Sequence, residues 1–356
     1  MAPVSATVRD VARLAGVSPS TVSRALARPE MISAETRGRV LEAARALDWV
    51  PNRLARSLTR GSTENIAVVV PDIVNPFFPP LIRGGQQEAW RRGFSVLLGD
   101  SNEDAARELH VANELAAQVD GLLLMSSRLP AREILELRER CEVVVVNRVV
   151  RGVSGVVIDT APSARRAVRH LVGAGHDAVH YVSGPADSWS NKQRVAAVQA
   201  ACDASGTACH VLAPSVGAFE RGRACVDDLL AAGATAVLAY DDITALGIVA
   251  GLADRDVRVP GDVAVIGCDD IPMAGQLGLA TIGAPFDSVG AAAAGLLIEQ
   301  IARRAGGAPR RSRLVRVPST LFLRRTAGPA PAGGPALSGE GAAMPARSRR
   351  SPRARA

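Results

Sequence analysis

From Asn65 onward, short apolar runs alternate with stretches of helical periodicity, and this rhythm restricts the possible folds more than any other feature of the chain. Residues 66–70, 95–98, 121–125 and 143–146 are strand-like, with helical stretches such as 104–118 between them. The pattern restarts at 156–158 and continues through 178–182, 235–240 and 263–268, separated by helices such as 162–172 and 244–253. Apolar strands of this kind are buried on both faces, which means parallel sheets covered by helices. Two successive sets predict two doubly wound lobes, with a ligand crevice at their strand C-termini.

The chain has 356 residues, room for at least two domains, and is 47% hydrophobic and 22% charged. Its longest apolar runs fall far short of the roughly 20 residues that span a bilayer. The first dozen residues carry Arg9 and Asp10 and lack an apolar core, so no secretory signal is expected. The five cysteines are odd in number and include no C-x-x-C pair, which suits a reducing cytoplasm. Membrane, collagen-like and disulfide-stapled classes are excluded.

Charge is unevenly placed. Residues 1–61 hold ten arginines against five acids, and residues 327–356 hold five arginines against Glu340, so the long middle is slightly acidic. A basic head on a near-neutral body predicts a polyanion-binding module joined to something else. Arginine outnumbers the single lysine, Lys192, in a manner that codon bias explains.

The head reads as three short helices. Thr7 and Asp10 form a capping box, after which Val11, Leu14 and Ala15 share a face. Gly16-Val17 ends that helix, and Ser18-Pro19 starts another with Val22 and Leu26 inward. Ser33 opens a third, with Val40, Ala43, Ala44 and Leu47 inside and Pro51 beyond its end. A helix, a glycine turn and a capped second helix constitute a helix-turn-helix, whose second helix enters the major groove. Pro19, Ser20, Ser23 and Arg24 would face outward there. The Arg24 fork suits guanine O6 and N7. Ser18, Thr21, Ser23, Ser33 and Thr36 suit phosphate oxygens, helix capping being the competing role, above all for Ser33.

The runs TVRDVARLAGVSPSTVSRAL over residues 7–26, SAETR over 33–37 and PNRLARSL over 51–58 resemble the lactose-repressor/galactose-repressor (LacI/GalR) family of transcription factors. The resemblance continues to about Thr326. It implies an all-α helix-turn-helix head over 1–50, a hinge helix and linker over 51–64, and a two-lobed effector-binding and dimerisation domain over 65–326. The lobes would be of periplasmic-binding-protein type. A disordered basic tail would occupy 327–356. It further implies that Asn52, Ala55 and Leu58 lie on the hinge helix, with Leu58 as a minor-groove wedge that kinks the duplex. Ala27 departs from the family's usual asparagine, which removes a phosphate contact.

Strand ends of the body carry the candidate effector residues. Asp72 and Asn75-Pro-Phe77-Phe78 follow the first strand, and in a chain with only 3% aromatics the two rings suit a sugar or base face, core packing being the competing role. Ser183-Gly184-Pro185 lets a ligand approach backbone, and Arg194 offers forked donors with Ser190 nearby. Asp241 and Asp269 are placed to accept hydroxyl pairs, with Asp242 and Asp270 as helix caps. The resemblance implies effector contacts at the Asn75–Phe78 loop and at Arg194, adds Asn147 and Arg148 at the end of the first lobe, and puts Phe286 near the site. Gly278-Leu-Ala-Thr281 departs from the family's Pro-Leu-Thr-Thr at the crossover between lobes.

Cys202, Cys209 and His210 match no zinc spacing, and the chain holds no P-loop or G-x-G-x-x-G after a strand, so neither catalysis nor a metal or other cofactor is expected. The reading is therefore a cytoplasmic, nucleoid-associated regulator. It would bind a pseudo-palindromic double-stranded DNA operator as a homodimer and answer to a sugar or sugar phosphate, with a nucleobase or nucleoside as the alternative effector. A solute-binding protein and an enzyme with a DNA module are the rivals from other classes.

Overall fold

The structure, a computed structural model, describes residues 6–27, 31–49, 62–213 and 217–331. They fall into two units, one ending at Asn65 and including Gln118–Asp120, the other holding the rest.

The first unit contains α1 (Val8–Ala15), α2 (Pro19–Ala27) and α3 (Ala34–Ala46). Thr7 and Asp10 close the capping box, and Gly16 takes the left-handed conformation that ends α1, with φ 65°. The apolar centre joins Val11, Ala12, Ala15, Val22, Ala25, Val40 and Ala43. Leu14, expected inside, is 56% exposed. The buried arc of α1 is centred on residues 11, 12 and 15, and a step of 100° per residue carries position 14 to its edge. Arg39 donates from Nε and Nη2 to the Ala15 carbonyl, so α3 satisfies an orphan carbonyl at the end of α1.

The second unit has two lobes. The first is a six-stranded sheet built on β1 (Asn65–Val70), β2 (Ser95–Asp100), β3 (Gly121–Met125), β4 (Glu142–Val146), β5 (Ser154–Asp159) and β11 (Leu314–Pro318). Its order is β11-β5-β4-β3-β1-β2. The second sheet uses β6 (Ala178–Val182), β7 (Ala208–Leu212), β8 (Ala236–Ala239), β9 (Ala264–Cys268), β10 (Ala280–Gly283) and β12 (Thr320–Phe322), in the order β12-β10-β9-β8-β6-β7. Only β12 runs antiparallel to its neighbour among the registered pairs. Helices α4 (Phe78–Arg91), α5 (Ala105–Ala116), α6 (Ala131–Arg140) and α13 (Phe286–Ala305) cover the first sheet. The second carries α7 (Ala161–Gly173), α8 (Trp189–Ser205), α9 (Ala218–Ala224), α10 (Val226–Ala231), α11 (Asp242–Ala253) and α12 (Pro272–Leu277).

The strand at 156–158 was expected to open the second set, yet β5 is the fifth strand of the first sheet. No helix separates it from β4. The two strands overlap in only three residue pairs, Val144 to Ser154 through Val146 to Val156, so the chain has little distance to retrace and a short loop suffices. The lobes are joined by three chain passages: at Thr160, at Ala284–Pro285 and at Ser319. Ser319 Oγ hydrogen bonds both the Asp159 carbonyl, at 2.7 Å, and Ser163 Oγ, at 2.8 Å, which ties the first passage to the third. At the departure from the family pattern, Gly278 caps α12 with φ 71° and Ala280–Gly283 still forms β10.

The tail was expected to be structureless from residue 327, but its first residues are anchored. The Ala330 amide donates to the Ala174 carbonyl, and the rings of His170 and His176 bond the carbonyls of Ala327 and Gly328. These bonds join the main chain of the tail to partners distant in sequence, one of them main-chain and two of them histidine rings, and are invisible to a reading of composition. Residues 332–356 lie outside the described residues. Among the described residues, no helix is long and apolar enough to cross a membrane.

Candidate functional site

Two surfaces carry chemistry, one in each unit. In the first, α2 presents Pro19, Ser20, Ser23 and Arg24 as exposed residues, with Ser18 ahead of them. Ser18 Oγ accepts from the Thr21 amide at 3.2 Å and contacts the hydroxyls of Ser20 and Thr21 at 2.8 and 2.9 Å. Arg24 lies back along its own helix, Nε donating to the Ser20 carbonyl at 3.3 Å. Its Nη2 also reaches Ser20 Oγ at 3.4 Å, and it makes no ion pair among the described residues. Ser33 and Thr36 serve the N-terminus of α3, where Ser33 Oγ accepts from the Thr36 amide at 3.3 Å. Thr7 is likewise engaged in its capping box. Asn52, Ala55 and Leu58 lie outside the described residues, as does the side chain of Ala27.

In the second unit, a cavity of about 210 Å³ opens between the lobes at the C-terminal ends of their strands. Asp72, Asn75, Phe77, Phe78, Asn147, Arg194, Asp241 and Asp269 all line it, eight side chains drawn from both lobes. The Asn75 side chain accepts from the Phe77 amide at 3.0 Å in the turn just ahead of α4, and both rings line the cavity. Phe77 and Phe78 stack edge to face at 4.9 Å and are each 5% exposed, so the rings serve core and cavity together. Asn102, Glu103, Ser126, Asn147 and Asp269, all on the wall, have positive φ between 47° and 118°. Left-handed backbone at non-glycine residues is costly and collects where strand ends are bent to present side chains to a ligand.

Arg194 is the centre of the wall on the second lobe. It is 5% exposed, donates to Asp269 Oδ1 at 3.1 Å and to the Tyr240 carbonyl, and packs 5.0 Å from the Tyr240 ring centroid. Burial works against its charge, but the Asp269 carboxyl at 3.1 Å outweighs that and leaves the guanidinium harder to deprotonate than a free arginine. Burial also lifts the Asp269 carboxyl well above the usual carboxylate range, against the pull of Arg194.

Asp241 and Asp242 exchange their expected roles in part. Asp241 is the N-cap of α11, accepting from the Thr244 amide at 2.7 Å, while still reaching the cavity wall. Asp242 is fully buried behind the site, accepting from the Ile271 amide at 2.9 Å and from the Thr281 hydroxyl. Asp270 caps nothing and pairs with Arg324 at 2.7 Å. Extended φ and ψ of −140° and 171° at Asp241 fit the cap position, and Asp242 is already helical.

Burial pushes the Asp242 carboxyl up to about 7; the bonds from Thr281 and Ile271 oppose this, while Asp241 and Asp270 reinforce it. The folded protein thus holds this proton to higher pH than the unfolded chain does. Its stabilising contribution is greatest below about pH 4 and declines as the pH rises to about 7. Urea unfolding at about pH 5 and pH 8 should show a loss on the order of a few kcal/mol from this group, diminished in Asp242→Asn. The asparagine retains the bond from Ile271, and the Thr281 hydroxyl can turn to accept. An equal pH dependence in both proteins would contradict the assignment.

Three expected contacts stand off the cavity. Arg148 donates to the Ser127 carbonyl from behind the wall. Ser190 Oγ bonds Ser188 Oγ at 3.1 Å, and Ser188 in turn bonds the Tyr240 hydroxyl at 3.1 Å. Phe286 packs 5.0 Å from Phe77 in the core of the first lobe. All three back residues that do line the cavity. Conversely, Asn102, Glu103, Ser126, Arg128, Arg221 and Tyr240 line it without having been anticipated. Arg128 Nε also reaches Asp187 Oδ1 of the other lobe at 3.8 Å, an ion pair across the opening. Ser126 follows a strand that was recognised, so a rule of "first residue after each strand" would have found it, whereas Tyr240 fell inside the expected strand 235–240 and the observed β8 ends at Ala239. The loop and short helix holding Arg221 carry no such signal.

The sequence model described as "Bacterial regulatory proteins, lacI family" matches residues 7–52, the segment that forms α1 to α3. A second, described as "Periplasmic binding protein-like domain", matches residues 168–327. The chain thus carries a lacI-type regulatory segment followed by a periplasmic-binding-protein-like domain. Among its relatives, the "HTH-type transcriptional repressor CytR" of Escherichia coli (strain K12) is 37% identical over 185 residues, 51% of this chain and 54% of that protein. The chain spans about half the length of the curated relatives it matches. A solved "transcriptional regulator CelR-cellobiose complex" covers 90% of this chain and 99% of its own, with 27% identity and a TM-score of 0.65. The Lac repressor dimer, bound to operator and the anti-inducer ONPF, covers 91% and 99% at 24% identity with a TM-score of 0.78, which shows the shared fold. The two matched segments fall on the three-helix head and on most of the second lobe together with α13 and β11 of the first.

Proposed function

We propose that this chain is a transcriptional repressor. It binds a pseudo-palindromic operator in double-stranded DNA as a homodimer, through α2 with Arg24 reading base edges, and responds to a sugar-like effector held between its lobes. The observation that carries the reading is the presence, in one chain, of an exposed Ser/Arg face on α2 and a cavity lined by acceptors, donors and rings. Asp241, Asp269, Asn147 and Arg194 supply the paired donors and acceptors that hydroxyls require, and Phe77 and Phe78 supply an apolar face for a ring. A relative named as a transcriptional repressor and a solved regulator bound to cellobiose support both halves. The activity is regulation and not catalysis. A ligand with different affinity for two arrangements of the lobes would bias operator binding.

The test is retention of sheared source DNA by the purified protein at fixed, near-physiological salt, followed by sequencing, because phosphate contacts make affinity salt-dependent. A shared pseudo-palindrome is the expected result. Retention with no common motif, in the presence and absence of candidate sugars, would overturn the reading. In the same assay Leu58→Ala should weaken operator binding by about tenfold or more while leaving sugar affinity unchanged, as loss of an intercalated wedge requires. Unchanged operator binding would remove Leu58 from that role.

A further inference from the structure

The cavity wall contains three arginines, and their charges are not equally answered. Arg194 faces Asp269 at 3.1 Å, and Arg128 sits near Glu103 at 3.5 Å and Asp187 at 3.8 Å. Arg221 is 5% exposed and has no ion pair among the described residues. Among the described residues its Nε has no hydrogen-bond partner, and the bond from Nη1 to Thr244 Oγ1 is a long 3.4 Å. A buried guanidinium without a counter-charge is unfavourable.

The fold keeps it there. The next residue, Gly222, packs so closely on α11 that a Cβ would lie 2.1 Å from the Thr244 carbonyl, and Gly247 approaches the Phe219 carbonyl in the same way. The backbone of α9 is therefore pinned to α11, and Arg221 is held at the wall. Asp241, which shares the Thr244 neighbourhood, is occupied as the helix cap and forms no ion pair with Arg221. Asp72 and Asp241 also line the cavity, but among the described residues neither pairs with Arg221, the one arginine of the wall without an ion pair, whose planar donors match the oxygens of a phosphate or carboxylate.

We propose that the ligand of this cleft carries an oxyanion, a phosphate or a carboxylate, held by Arg221. The inference rests on the reading of the cleft as an effector site and narrows it to acidic sugars.

The experiment uses the full chain and Arg221→Met. In the absence of ligand, the variant should melt at the same temperature as the parent or higher, because an uncompensated buried charge is removed. A structural arginine would give a drop of several degrees, and that result overturns the proposal. Inorganic phosphate, compared with chloride at equal ionic strength, should raise the melting temperature of the parent and not of the variant. Equal protection of both proteins, or of neither, also overturns it. Glucose, glucose 6-phosphate and gluconate then separate the two anions. One of the acids should bind the parent about tenfold or more tightly than glucose, with the preference abolished in the variant. Glucose binding as tightly as either acid would refute the oxyanion while leaving a cleft effector intact. Phosphate protection through Arg221 with no sugar altering operator binding would do the reverse, supporting the subsite and refuting the sugar effector.

Discussion

Arg194→Met is expected to destabilise the second unit by about 3–5 kcal/mol in urea unfolding near neutral pH, the usual consequence of removing one partner of a buried pair. Asp269, 7% exposed, would be left without its donor at 3.1 Å, and the Tyr240 carbonyl would lose its bond. Burial already favours the protonated Asp269 carboxyl, and Arg194 is what opposes it. In the variant the carboxyl must take up a proton or remain charged in a dry site. The defect should therefore shrink as the pH is lowered and grow as it is raised. Replacing Asp269 by leucine in the same chain should recover much of the loss, since the two substitutions act on one interaction. A single-variant cost under about 1 kcal/mol, or additive costs in the double variant, would show that the pair is not coupled. Under the proposed function, binding of the cleft ligand should also vanish in the single variant, because the donors and the position of Asp269 are lost together.

Gly290→Val is expected to be comparably severe for a different reason. Helices α4 and α13 cross with almost no space between their backbones. A Cβ on Gly290 would lie 1.9 Å from the Leu81 carbonyl oxygen and 3.0 Å from the Gly85 nitrogen, and one on Gly84 would lie 1.9 Å from the Asp287 carbonyl oxygen. These are main-chain atoms, so no rotamer can relieve the clash and the helices must separate. A cost of about 3 kcal/mol or more is expected, at the upper end for overpacking. Gly38→Ala provides the contrast. It lies inside α3 with nothing within 4 Å of its would-be Cβ, and should stabilise the head by about 0.5–1 kcal/mol. Thermal melts of both variants decide the point. An unchanged midpoint for Gly290→Val would mean that the helices are free to move apart.

The two-lobed class was readable because burial on both faces leaves a continuous apolar run in each strand, as in 121–125 and 143–146. The sheet to which a strand belongs is a different matter. Nothing local in Ser154–Asp159 says that it returns beside β4, because that is settled by the length of the overlap and the loop between. Among candidate site residues, those at the ends of recognised strands came out on the cavity wall, since strand ends converge in doubly wound sheets. Phe286, Ser190 and Arg148 had the right chemistry but face one layer behind, a difference of side-chain direction that spacing does not encode. Arg221 was missed because its significance is a lack of partners, which only packing reveals.

Three chain passages join the lobes, at Thr160, Ala284–Pro285 and Ser319, with the outer two stitched by the Ser319 hydroxyl. A single strap would let the lobes swivel, slide or exchange between molecules. Three straps side by side behave as a flexure, soft to bending about the line through them and stiff to torsion and shear. Proteolytic nicking at any one passage would leave the lobes in register, and any work done by a ligand on the cleft would be delivered almost wholly as opening or closing.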